Sequence, residues 1–327
     1  MKTGRTPGPS EKAAIAGLAA AILIIGGCKK AGEPAGEGLQ PQEKAAQEVM
    51  APAAGETAAQ AAEVQKGYAP ANGLSMDYEI HGAGEPLLLL HGAFMTVEAW
   101  GDILTGLAKT RRVIAVELQG HGRTADIDRP FSFEQFADDV AALLRHIDVG
   151  KADILGYSLG GGVALQLAIR HPDMCDKLIV ISATYRSDGW YPEVAENISK
   201  ITPVVFTGTI IRDGYNKVAP NPEAFPGLVE RIKAAEAKSY AWPEAAIRAI
   251  ASPALIVIGD ADGVRPEHAV EMFRLVGGGV FGDLAGLPKS QLAVLPGTHH
   301  FGVMFRGAWL VPMISDFLDG KTFQFPM

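Results

Sequence analysis

The stretch that most limits what this chain can fold into is ADILGYSLGGGVALQLAIRHP, residues 152–172. An apolar run of strand length meets a turn crowded with small residues. An apolar helical stretch follows and is stopped by Pro172. A strand, a tight turn and a helix in immediate succession belong to folds that alternate the two elements around a largely parallel sheet. The rest of the chain repeats the alternation. PLLLLHG (86–92) and RRVIAVELQG (111–120) are continuous apolar runs, as expected of strands covered on both faces. GLSMDYEIHG (73–82) alternates with period two and reads as a half-buried strand. In SFEQFADDVAALLRHI (132–147), Phe133, Phe136, Val140, Leu143, Leu144 and Ile147 fall at helical spacing, and Ser132 with Gln135 spells a capping box. Strands are expected again in DKLIVISA (176–183), PALIVIGD (253–260) and SQLAVLPG (290–297). Helices are expected in PEHAVEMFRLV (266–276) and near GAWLVPMISDFL (307–318).

Residues 186–250 break this rhythm. They lack a convincing strand, and the segment is too long for a simple loop. It reads as a helical lid inserted between two core strands. Its aromatics, Trp190, Tyr191, Phe206, Tyr215, Phe225, Tyr240 and Trp242, are expected to serve mainly as internal packing.

The amino-terminal part has a different texture. Lys2, Arg5 and Lys12 outweigh Glu11, and the uncharged run AAIAGLAAAILIIGGC (13–28) follows. That run is short for a membrane span, which needs about 20 apolar residues, and fits the apolar core of a signal peptide. Ile25-Gly26-Gly27-Cys28 resembles the bacterial lipoprotein signal. The resemblance implies removal of residues 1–27 and lipid on Cys28. It also implies a place on the periplasmic face of a bacterial membrane, with Lys29 pointing to the outer one. Residues 28–66 are rich in Ala, Glu, Gly, Gln and Pro. Such a segment cannot bury enough apolar area to offset ordering and is expected to be a flexible tether with a reach of about 35 Å. The globular domain is then 67–327. The whole chain carries a formal charge of −8, and its basic start makes the remainder more acidic still, which excludes nucleic acid as a partner. Besides Cys28 there is only Cys175, so no intramolecular disulfide is expected if Cys28 is lipidated, and Cys175 reads as a packing residue.

Gly156-Tyr157-Ser158-Leu159-Gly160 matches G-x-S-x-G between a strand and a helix, the setting of a nucleophile elbow. A sharp turn there holds the serine in an unfavourable backbone region, so its neighbours must lack bulk; Gly156 and Gly160 meet that need. Gly161 and Gly162 are expected to let the helix approach the sheet. A serine hydroxyl is a weak nucleophile, and it needs a base oriented by a carboxylate. The histidines after it are His171, His268, His299 and His300, and Asp260 and Asp262 follow a strand. The adjacent His299 and His300 lack metal-site spacing, so no metal is expected. No P-loop or dinucleotide fingerprint is present, so no cofactor is expected either.

LLLLHGAF, LQGHGRT, GYSLGGG, GDADGVRPEHA and LPGTHHFGV occur in this order. Together they identify residues 68–327 as resembling the α/β-hydrolases, in the branch of serine esterases, haloperoxidase-like enzymes and C–C hydrolases. The resemblance implies an α/β fold with a mostly parallel central sheet flanked by helices. It implies Ser158 as nucleophile, Asp262 as acid (Asp260 competing) and His300 as base (His299 competing). It implies an oxyanion hole from the backbone N–H of Leu159 and of Ala93, with Phe94 the alternative to Ala93. His91 and His121 are expected to be structural. Gln119 stands where the family usually has Asp or Arg. A small-molecule acyl substrate is expected, a largely apolar ester, lactone or thioester. The alternatives are C–C bond hydrolysis by the same residues, or ligand binding without catalysis.

Overall fold

The computed structural model describes residues 64–322. The signal peptide, Cys28 and most of the tether lie outside the described residues. Eight strands form one sheet. They are β1 (Gln65–Ala71), β2 (Leu74–His81), β3 (Pro86–Leu90), β4 (Arg112–Val116), β5 (Ala152–Tyr157), β6 (Cys175–Ile181), β7 (Ala254–Ala261) and β8 (Gln291–His299). Their spatial order is β1-β2-β4-β3-β5-β6-β7-β8. β2 runs antiparallel to both of its neighbours, and the pairs from β4 to β8 are parallel. The sheet is the mostly parallel one expected. β1 is a strand that the sequence pattern did not separate from the tether: Gln65 and Lys66 already pair with Ile80 and Glu79.

The helices of the body are α1 (Gly101–Leu107), α2 (Phe133–His146) and α3 (Leu159–Arg170). The segment between β6 and β7 holds α4 (Pro192–Lys200), α5 (Ile210–Val218), α6 (Phe225–Glu236) and α7 (Glu244–Arg248). Beyond β7 come α8 (Pro266–Leu275), the short α9 (Gly282–Ala285) and α10 (Gly307–Leu318). No helix among the described residues is long and apolar enough to cross a membrane.

Side chains alternate along each central strand, and this splits the core in two. Leu88, Leu90, Ile154, Val180 and Ile256 face α2, α3 and α8. Leu87, Leu89, Leu155, Ile179 and Val257 face α1 and α10, where Trp100, Ile103, Leu310 and Phe317 meet them. Burial on both faces is why these strands read as unbroken apolar runs. Each such side chain contributes about 1.5–3 kcal/mol relative to exposure. Ser132 caps α2 by accepting from the Gln135 N–H at 3.1 Å. The Gln135 side chain does not close the box. It donates instead to Asp139, 3.1 Å away. α10 carries Pro312 within it and is otherwise continuous.

β1 runs in the same direction as β4, and Gln65 is in register, through Ile80, with Ile114 midway along β4. The end of α10 lies at the level where the parallel strands begin: Lys177, near the start of β6, donates to the Leu318 carbonyl at 2.9 Å, and Asp319 pairs with Arg111, just before β4.

Candidate active site

Ser158 stands between β5 and α3 with φ +53° and ψ −117°. A non-glycine residue at positive φ is strained, and surrounding structure must hold it there. The hold is visible. The Ser158 N–H donates to the Ile181 carbonyl at 2.9 Å, and the Ser158 carbonyl accepts from the N–H groups of Gly161 and Gly162 at 2.9 and 3.2 Å. Added bulk next door is excluded. A Cβ on Gly156 would collide with the Gly160 carbonyl, and one on Gly160 with the Leu90 carbonyl. Gly161 lets α3 close on Ala183, at the end of β6. Gly162 does something other than expected: it makes room for the Phe133 ring at the start of α2, so its small size serves a helix contact rather than the sheet.

The structure brings three of the expected side chains into one line. The Ser158 hydroxyl lies 3.0 Å from His300 Nε2, and His300 Nδ1 lies 2.8 Å from Asp262 Oδ1. The consistent arrangement has the serine O–H donating to Nε2 and the Nδ1–H donating to the carboxylate. His299 ends β8, exposed, and its Nδ1 accepts from the Gly302 N–H at 3.1 Å. β8 thus runs through Pro296 and Gly297, and His300 is the first residue beyond it. Asp260 also turns away. Its exposed carboxylate accepts from the Gly297 and Thr298 N–H groups at 2.9 and 3.0 Å, fixing the end of β8.

Asp262 is 6% exposed and fully engaged. Oδ1 also accepts from the Val264 N–H at 3.2 Å. Oδ2 accepts from the Gly259 N–H at 3.2 Å and from the Ser182 hydroxyl at 2.5 Å. Burial alone would raise its carboxyl. The bonds from His300, Ser182 and Gly259 and the neighbouring imidazole outweigh burial and hold the group below the usual carboxylate range. Ser182 is a partner that sequence reasoning missed. It sits just past β6 at φ +53° and is fully buried. A lone serine after an apolar strand carries no motif. The available signal was only its place at the carboxyl end of a central strand.

Two other histidines are taken up by structure, as expected. His91 Nδ1 bonds the Gly92 carbonyl at 2.8 Å, and its Nε2 accepts from the Leu118 N–H at 3.1 Å. Burial pushes His91 down to about 4 and His121 to about 3, so both stay neutral. Gln119 has a clear task. It donates to Asp126 at 2.7 Å and accepts from Arg129 at 2.7 Å, tying the loop after β4 together. Burial pushes the Cys175 thiol up to about 11, and it is buried at the start of β6 as a packing residue.

Ser158 opens into a cavity of about 450 Å³. One side comes from the body, including Ala93, Phe94, Leu159, Asp262 and His300; the other comes from α4, α6 and the loops joining them. Residues 186–250 therefore roof the serine. Their aromatics divide between two roles. Tyr215 and Phe225 are buried with Phe206, while Trp190, Tyr191, Tyr240 and Phe206 itself line the cavity. The Trp190 ring meets the His300 ring edge-on at 5.5 Å. Ala93 and Leu159 both border the cavity beside Ser158. Leu159 is the first residue of α3, where amide N–H groups lack acceptors within the helix and the dipole is positive.

Residues 85–231 match the family model described as the alpha/beta hydrolase fold. The chain is 30% identical over 269 residues to the 2-hydroxymuconate semialdehyde hydrolase of Pseudomonas sp. (strain CF600), covering 76% of this chain and 92% of that protein. The chain belongs to the α/β-hydrolase family. This α/β-hydrolase is also 29% identical over 264 residues to the pimeloyl-[acyl-carrier protein] methyl ester esterase of Neisseria meningitidis serogroup A, covering 73% and 78% of the two chains. Among solved structures, the meta-cleavage product hydrolase from Pseudomonas fluorescens IP01 shares its fold, with a TM-score of 0.61 at 20% identity over 78% of this chain and 97% of the other. The protein is a hydrolase of the α/β fold.

Proposed function

We propose that this hydrolase cleaves a small or medium, largely apolar carboxylic ester, lactone or thioester through an acyl-enzyme on Ser158. One observation carries the reading. The strained Ser158, 3.0 Å from an imidazole that a buried carboxylate orients, opens into a roofed cavity walled mainly by apolar side chains. In this mechanism Ser158 Oγ attacks the acyl carbon as His300 Nε2 takes its proton. Asp262 holds the imidazole in the working tautomer and stabilises its charged form. The N–H groups of Leu159 and Ala93 receive the developing oxyanion, each such donor supplying about 2.7–4 kcal/mol. His300 then returns the proton to the leaving group, and water repeats the sequence to free Ser158.

C–C hydrolysis is the second reading, favoured by the likeness to a semialdehyde hydrolase. A muconate is a carboxylate, whereas no arginine lines this cavity among the described residues. Its acidic side chains other than Asp262 are Glu193 and Glu236, against the single lysine Lys233. That balance supports an uncharged or cationic substrate and therefore the ester reading. Initial rates on carboxylic esters of graded chain length, beside a vinylogous diketone carboxylate, separate the two. Turnover of the esters is expected; turnover of the diketone alone would overturn the ester reading.

The chain's place in the cell is part of the same proposal: lipid on Cys28 holds the hydrolase at the periplasmic face of the outer membrane. Ile25-Gly26-Gly27-Cys28 followed by Lys29 supports this. Growth with an alkyne-tagged fatty acid is expected to label the wild type. Cys28→Ala is expected to lose the label and leave the membrane fraction. An unlabelled wild type would reject the idea.

A further inference from the structure

The roof of the cavity carries a carboxylate that the reaction just described does not use. Glu236 is the last residue of α6 and lines the cavity. Among the described residues its carboxylate has neither a hydrogen bond nor an ion pair. The obvious candidates are committed elsewhere. Lys233, one turn earlier, places its ammonium 3.3 Å from Glu230. The Tyr240 hydroxyl is shared with Thr184 at 2.7 Å and with the Trp190 N–H at 3.4 Å. Asn197, on α4, lines the same cavity with its side-chain amide also unpartnered among the described residues, and α4 packs against α6.

This is an unfavourable position for a carboxylate. Burial pushes the Glu236 group up to about 7, with no opposing partner to bring it down. The carboxyl-terminal end of a helix adds the negative end of the dipole. A polar group left without a partner in an apolar wall costs free energy unless something else satisfies it. Glu236 is partly buried, and the cavity it lines is where a bound molecule can supply that partner.

We propose that Glu236 is a specificity-determining residue that accepts a hydrogen bond from a donor group, hydroxyl or ammonium, carried on the substrate away from its scissile carbonyl. The substrate class is then an ester, lactone or thioester with an apolar middle and a polar, non-anionic far end. The Asn197 amide offers a second contact for that end. This inference rests on the acyl-enzyme reading of Ser158.

The test uses the full chain and matched alkanoate esters of four to ten carbons. Each is offered plain, with an ω-hydroxyl and with an ω-ammonium group, on the acyl or the alcohol arm, and kcat/KM is followed by pH-stat. The readout is the ratio of donor-bearing to plain ester at equal length in the wild type, Glu236→Gln and Glu236→Leu. At the best-fitting length the wild type is expected to favour a donor-bearing ester by about tenfold or more, as a charge-assisted bond allows. Glu236→Leu is expected to abolish that preference. Glu236→Gln is expected to keep a hydroxyl preference and lose an ammonium one, so the variants tell the two donors apart. An ammonium preference should also grow as pH rises from 6 to 8, because the carboxyl ionises across that interval. Thermal melting guards against a structural role: removing a partnerless carboxylate should leave the melting temperature unchanged or raise it. Hydrolysis of plain esters with no donor preference at any length, or a preference that survives in Glu236→Leu, would overturn the role of Glu236 alone. No ester turnover, and no adduct with a fluorophosphonate at Ser158, would overturn the acyl-enzyme reading itself.

Discussion

Ser158→Ala is expected to lower kcat for ester hydrolysis by about 10⁵- to 10⁶-fold while leaving the protein folded. The loss follows from the chemistry, since the covalent intermediate needs this oxygen. The retained fold follows from the bonds at the elbow. Ser158 is held there by its backbone, through the Ile181 carbonyl and the Gly161 and Gly162 N–H groups. Its hydroxyl reaches only His300 among the described side chains. Alanine meets the same strain at φ +53° as serine does. Melting temperature should therefore move little, and labelling by a fluorophosphonate should vanish. A residual rate above the uncatalysed one is expected, because the amide donors proposed at Leu159 and Ala93 would remain. A variant with full activity would show that another group carries the acyl chain.

The second large effect separates two neighbouring acids. Asp262→Asn is expected to cost about 10⁴-fold in kcat, and Asp260→Asn only a few-fold. Asp262 accepts four hydrogen bonds, two at each oxygen. An asparagine has one oxygen to offer. If its NH₂ faces His300, the imidazole must turn to the tautomer that cannot take the serine proton. If its NH₂ faces the other way, it confronts the Gly259 N–H and breaks the turn that carries residue 262. Either orientation damages the base. Asp260 is exposed and accepts only from Gly297 and Thr298. Its loss should loosen the approach to His300 without changing the tautomer. Steady-state rates of the two variants on one ester decide the matter, and equal losses would contradict the assignment.

Much of this site is legible in the chain. The run from Ala152 to Pro172 announces a strand, a crowded turn and a helix, and the clashes awaiting a Cβ at Gly156 and Gly160 give the physical reason for those glycines. The choice of His300 over His299 is harder from sequence, because adjacent residues at the end of a strand differ only in which way they face. Here β8 extends as far as His299, which turns that side chain outward and puts His300 at the serine. Other features are set by distant register rather than by any local pattern. Ser182 touches Asp262 across a gap of 80 residues, and Glu236 meets the cavity only because α6 folds back over it. β1, reading QKGYAPA, contains a glycine and a proline and has little apolar content. Pairing with β2 makes it a strand where intrinsic propensity does not.

The place of α10 bears on how the molecule can be handled and used. Ser158 and its cavity stand at the carboxyl ends of the parallel strands, while the end of α10 is bound at the opposite end through Lys177 and Arg111. A carrier joined at residue 322 is therefore expected to sit at the far end of the sheet from the cavity and leave its mouth unobstructed.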